Sequence, residues 1–182
     1  MSKKGPASII DDLRVAVRTE MTGHRFYTAA AEMVENERGK NVFVHLAKEE
    51  LDHIRAIAAM VHALEEGKGW LGYDDAVKTG EGIFEKEGLP IFPEENEMLD
   101  KLKLDPGDLS AVKIAMESEE KAVDAYLEML KRAETPDEKV FLTNLLEMEK
   151  DHLKVLRWES EALSQTGFWG DTMEFSVEKE SD

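Results

Sequence analysis

Apolar residues return every three or four positions through four long stretches of the chain, the spacing that lines one face of an α-helix. Ile9, Leu13, Ala16, Val17, Met21 and the pair Phe26-Tyr27 predict a first helix over 8–36, with Ser8 placed to cap it. Val42, Leu46, Ile57 and Met60 or Val61 predict a second over 38–66, closed by Gly67-Lys68-Gly69. Val112, Ala115, Met116, Ala122, Val123, Tyr126 and Leu130 mark a third over 108–133. Thr135-Pro136 then stops one helix and starts the next, because proline suits a first helical position. The fourth, over 136–165, carries Val140, Leu142, Leu145, Leu146, Leu153 and Leu156.

Between residues 67 and 107 this rhythm breaks. Glycine and proline are concentrated there, with Gly80, Gly82, Gly88, Pro90 and Pro93 as punctuation, and one short helix is expected over 94–104. A connection this long is a crossover from one end of a bundle to the other. The expected architecture is an all-α four-helix bundle forming a single domain, with its long crossover between the second and third helices. The segment 166–182 contains Phe168, Trp169, Met173 and Phe175, too aromatic a set for a solvated tail, so it is expected to pack on the bundle or on a second subunit.

Charged residues interrupt the apolar stripes at a few places only, and those places repeat. Glu50 and His53 stand three apart on one face of the second helix, and Glu149 and His152 do the same on the fourth. Glu20 lies on the apolar side of the first helix and Glu119 on that of the third. Each of these pairs is separated by 99 positions, as are Tyr27 and Tyr126, Ala16 and Ala115, Leu46 and Leu145, and Asp52 and Asp151. The chain is an internal duplication whose chemical residues keep register. That register selects Glu119 over its neighbours Glu117 and Glu120, the latter facing about 100° further round the helix.

Composition narrows what such a bundle does. A net charge of −17, from 40 acidic against 23 basic side chains, offers no basic patch for nucleic acid. The absence of cysteine excludes disulfides, thiolate metal sites, iron–sulfur clusters and cysteine nucleophiles within these residues. No apolar run suits a signal peptide or reaches the ~20 residues of a membrane helix, so a cytoplasmic protein without a membrane partner is expected. A homodimer is the expected assembly, the commonest symmetric oligomer. His24, His45 and His62 have no counterpart in the other half and are read as surface or supporting residues.

Four helices thus offer one Glu, a Glu-x-x-His, one Glu and a Glu-x-x-His, the inward-facing ligand set of ferritin-like di-iron and di-manganese bundles. Four buried carboxylates carry −4, which two divalent ions neutralise; without the ions, desolvation and mutual repulsion push protons onto the carboxylates. Oxygen-rich ligation with one imidazole per ion suits iron, with manganese as the alternative. Tyr27 and Tyr126 are candidates to hydrogen-bond the glutamates that bridge the ions, or are core residues with a wet hydroxyl.

The motifs Glu20-Met-Thr-Gly-His-Arg-Phe-Tyr27 with Glu50-Leu-Asp-His53, and Glu119-Glu-Lys-Ala-Val-Asp-Ala-Tyr126 with Glu149-Lys-Asp-His152, resemble those of the rubrerythrin branch of the ferritin-like superfamily. The resemblance covers about residues 8–66 and 108–165. It implies that one iron takes Glu20 and His53, the other Glu119 and His152, and that Glu50 and Glu149 bridge. It also implies reduction of hydrogen peroxide, or oxidation of ferrous iron by oxygen or peroxide. With no cysteine to hold a rubredoxin-type iron, electrons are expected from an external donor such as a rubredoxin-type protein, or from Fe²⁺ itself. Rubrerythrins carry a further glutamate three residues after the third-helix ligand, and here that position is Ala122, so a symmetric ligand set is expected. The rival readings are a ferroxidase that feeds iron storage and a metal-binding bundle without redox turnover.

Overall fold

A computed structural model describes residues 9–170. Six helices follow one another: α1 (Ile9–Met33), α2 (Glu37–Glu65), α3 (Tyr73–Glu87), α4 (Glu97–Leu104), α5 (Asp108–Arg132) and α6 (Pro136–Thr166). The described residues contain no strand. Ser8, Met173 and Phe175 lie outside them.

The duplication is visible in the helix ends. Ile9 and Met33 lie 99 positions before Asp108 and Arg132, so α1 and α5 coincide in register at both ends, and Glu37 of α2 has the same relation to Pro136 of α6. Both short turns close with a capping side chain. Asn36 accepts from the backbone N–H groups of Arg38 and Gly39, and Thr135 accepts from that of Glu138, whose carboxylate returns to the Thr135 N–H. Asn36 therefore starts α2 rather than ending α1, which stops at Met33, three residues before the end expected from periodicity. Turns this short make α1 and α2 one antiparallel hairpin and α5 and α6 another.

Side chains between the hairpins form two apolar clusters. One includes Phe26, Phe43, Leu46, Val112, Ala115 and Leu156. The other includes Leu13, Ile57, Met60, Phe141, Leu142 and Leu145. Along every long helix the charged interruptions fall between these two clusters, so the site is walled by hydrocarbon on both sides.

The crossover is more structured than its glycines suggest. Helix α3 fills Tyr73–Glu87, a stretch in which the sequence pattern predicted no helix, and packs along α2. Gly80 explains the misreading. A Cβ there would fall 2.2 Å from the Arg55 carbonyl oxygen, so glycine serves close helix contact rather than a break. The chain then runs along α1: Phe92 packs on His24, with ring centroids 5.6 Å apart, and Asn96 donates to the Thr22 carbonyl while capping α4. Gly167 ends α6 in the left-handed conformation at φ 75° and turns the chain back. Trp169 is consequently buried against Phe43, its indole N–H donating to Asp108 at 2.7 Å. Phe168 stays exposed, so of the tail aromatics within the described residues only Trp169 docks.

Candidate metal centre

The site begins with helical spacing. Glu20 on α1, Glu50 and His53 on α2, Glu119 on α5, and Glu149 and His152 on α6 are all buried, none more than 3% exposed. Nothing about the local backbone is unusual; these are mid-helix positions on faces that the apolar clusters turn inward. Their ligand atoms form two groups, Glu20, Glu50, His53 and Glu149 in one and Glu50, Glu119, Glu149 and His152 in the other. Within each group the atoms all lie within 4.8 Å of one another. Glu50 and Glu149 belong to both. Glu120 and Glu117, the nearby alternatives on α5, are exposed and pair with Arg157 and Lys101.

The two imidazoles lie side by side, ring centroids 5.3 Å apart and 21° from parallel. Each turns Nδ1 toward the carboxylates. His53 Nδ1 is 3.0 Å from Glu149, 3.7 Å from Glu50 and 4.0 Å from Glu20. His152 Nδ1 is 3.5 Å from Glu50, 3.6 Å from Glu149 and 3.7 Å from Glu119. The phenols cross between hairpins and reach the unshared glutamates, not Glu50 and Glu149 as expected: Tyr27 on α1 donates to Glu119 on α5, and Tyr126 on α5 donates to Glu20 on α1. Gly23 leaves room beside Glu50, since a Cβ there would touch its carboxyl carbon at 3.4 Å.

Packing acidic groups this tightly in hydrocarbon reshapes their titration. Burial drives Glu20 well above the usual carboxylate range, and the charges of Glu149 and Glu50 add to it; burial and Glu149 do the same to Glu119. Burial also works against ionised Glu50 and Glu149, but the two histidines outweigh it, holding Glu50 down to about 2 and Glu149 low as well. His53 in turn rises to about 9 against its own desolvation, through Glu149 and Glu50, and His152 rises likewise. Burial and the adjacent carboxylates raise both Tyr27 and Tyr126, so the phenols keep their protons.

Several of these buried atoms have no hydrogen-bonding partner among the described residues: Glu50 Oε2, both oxygens of Glu149, both nitrogens of His53 and Nδ1 of His152. Orphaned polar atoms at such depth are costly unless something else satisfies them. Apart from His53 Nε2, which faces the other way, they lie in two groups of oxygens with one nitrogen each, a donor set that fits two hard or borderline divalent cations.

The sequence model of the rubrerythrin family matches residues 11–159, most of the chain and every residue of this cluster. The chain belongs to the rubrerythrin family. No curated protein and no solved structure matches it. The buried carboxylate and histidine cluster is compatible with the di-iron site of that family, and both halves of the duplication contribute to it.

Three participants escaped the sequence reading. Glu49 accepts from His152 Nε2 at 2.9 Å, from the position next to a ligand. Tyr73 of α3 sets its ring edge-on to His53, centroids 6.3 Å apart. Met148 shares a cavity with both. Glu49 was hidden among the acidic residues of α2, whereas Tyr73 had a usable signal. Tyr73, Ala76, Val77, Gly80, Ile83 and Phe84 keep helical spacing behind Asp74 and Asp75 in a first turn. His62 sits on the surface beside Glu66 and His24 bonds the Ala47 carbonyl at 2.7 Å, whereas exposed His45 lies 3.4 Å from Glu49, the residue behind His152. No helix among the described residues is long and apolar enough to cross a membrane.

Proposed function

We propose that the protein is a non-haem di-iron oxidoreductase that reduces hydrogen peroxide to water. The observation that carries the reading is the pair of buried four-ligand groups sharing Glu50 and Glu149, on a chain of the rubrerythrin family. Glu20 and His53 would hold one ion, Glu119 and His152 the other, with Glu50 and Glu149 between them. Bound iron supplies the two electrons, and the overall change is H₂O₂ + 2e⁻ + 2H⁺ → 2H₂O.

The chain's own residues supply the rest. The six side chains would hold both ions in one buried place, and the apolar clusters on either side exclude bulk water. Tyr27 and Tyr126 hold protons one hydrogen bond from Glu119 and Glu20, close enough to pass them inward as oxygen–oxygen cleavage consumes them. With no cysteine in these residues, the electrons are restored by a separate donor, of which a rubredoxin-type protein is the expected kind.

The test is metal analysis of protein from unsupplemented cells, followed by stopped-flow oxidation of the anaerobic Fe²⁺ form. About two irons per chain, oxidised faster by peroxide than by oxygen, are expected. Oxygen reacting as fast, with iron consumed beyond that stoichiometry, would replace this reading with a ferroxidase. Zinc retained as the native ion, or iron inert to both oxidants, would leave a metal-binding bundle.

A further inference from the structure

The six ligands repeat faithfully across the duplication, but the residues behind the two histidines do not. His152 turns its outer nitrogen, Nε2, to Glu49 at 2.9 Å. Ninety-nine positions after Glu49, where the duplication would place its counterpart behind His53, stands Met148. His53 is fully buried, and its Nε2 has no hydrogen-bonding partner among the described residues. The His53 ring packs at a steep angle to that of Tyr73, whose hydroxyl is itself buried and without a partner among the described residues.

Glu49, Met148 and Tyr73 line one cavity of about 330 Å³ under α3, with Asp52, Asp74 and Lys78 also in its wall. The two positions that the duplication equates therefore meet in one place, and only one of them carries a carboxylate.

We propose that the two metal positions are inequivalent: Glu49 makes the ion beside His152 the tightly held one, and the ion beside His53 is the exchangeable one. The inference rests on the di-metal reading of the cluster. Its physical basis is the hydrogen bond behind a ligating imidazole. A carboxylate that accepts from Nε2–H fixes the proton there, leaves the Nδ1 lone pair for the metal and makes it a stronger donor. Losing such a partner typically lowers metal affinity by 10–100-fold. A thioether does none of this, because methionine sulfur is only a weak acceptor. Glu49 acts through His152, so it is a positioning residue; Tyr73 meets His53 by ring contact alone.

The experiment uses the full-length metal-free protein and Co²⁺ alone as probe, read by d–d absorption and by competition with a chelator of known affinity. Two binding steps about 10–100-fold apart are expected in the wild type. Met148→Glu places a carboxylate at the half-buried position the duplication left without one. It should tighten the weaker step by about 10–100-fold and leave the tighter step and its spectrum unchanged. Glu49→Gln should weaken the tighter step instead and bring the two together from the other side, which keeps the inference testable if Met148→Glu does not fold. Two equal steps in the wild type would overturn it while leaving the di-metal reading intact. So would a Met148→Glu protein, folded by circular dichroism, with an unmoved weaker step. Failure of the wild type to bind Co²⁺ at all would overturn the di-metal reading, and the inference with it.

Discussion

Loading the metal-free protein with divalent ions should expel protons, and the structure gives the number. Four ligand carboxylates would carry −4 if all were ionised. Burial and the other carboxylates keep Glu20 and Glu119 protonated, while Glu50, held at about 2, and Glu149 stay ionised against protonated His53 and His152. Two protons on carboxyls and two on imidazoles thus balance the cluster to zero. Two divalent cations do the same with every ligand deprotonated. At pH 7, below the value of about 9 to which His53 is raised, binding should therefore release about four protons per chain. Above that value His53 has already lost its proton, and the number should fall by about one. The assay is isothermal titration with Mn²⁺ in buffers of different ionisation heat. The slope of apparent heat against buffer ionisation enthalpy gives the protons released. A release of one proton or fewer at pH 7 would refute the charge balance, because it would require the four carboxylates to stand ionised together in hydrocarbon without their protons.

Two further outcomes follow from the same geometry. The metal-free protein should lose stability as pH rises. The folded pKa of His53, about 9, lies above its ordinary 6.5, so its contribution is fully present below 6.5 and is lost as pH rises through about 9. That contribution is on the order of 3 kcal/mol, and urea unfolding across this range would show it; stability that increases from pH 6.5 to 9 would contradict it. Gly80→Val should separate α3 from α2, because the new side chain meets the Arg55 backbone, at a cost of about 1–3 kcal/mol in thermal or urea unfolding.

The four long helices and the six buried residues that the structure brings together were legible because two independent periodicities agree. One is the 3.6-residue helical stripe; the other is the 99-residue duplication, which singled out Glu119 among three glutamates within four positions. Helix ends were less legible. Asn36 looks like the last residue of one helix and is the cap of the next, a distinction made by its backbone conformation rather than by residue type. Helix α3 was lost because Gly80 was read as a breaker, when its meaning is contact with α2, a tertiary fact. Glu49 was unreadable for a related reason. It lies one position from a ligand on the same helix and differs from its acidic neighbours only in what stands opposite, and that belongs to α6.

The crossing phenols and shared glutamates have a mechanical side. Each hairpin packs closely upon itself, α1 on α2 and α5 on α6. Each four-ligand group nevertheless draws on both hairpins, and both tyrosine bonds run from one to the other. A pair of ions at this place would be the clasp of the fold as well as its reactive centre. What the clasp would fasten is the seam between two copies of one hairpin, so the chemistry proposed for the site would share its six side chains with the joining of the duplicated halves, beside the two apolar clusters that already pack there.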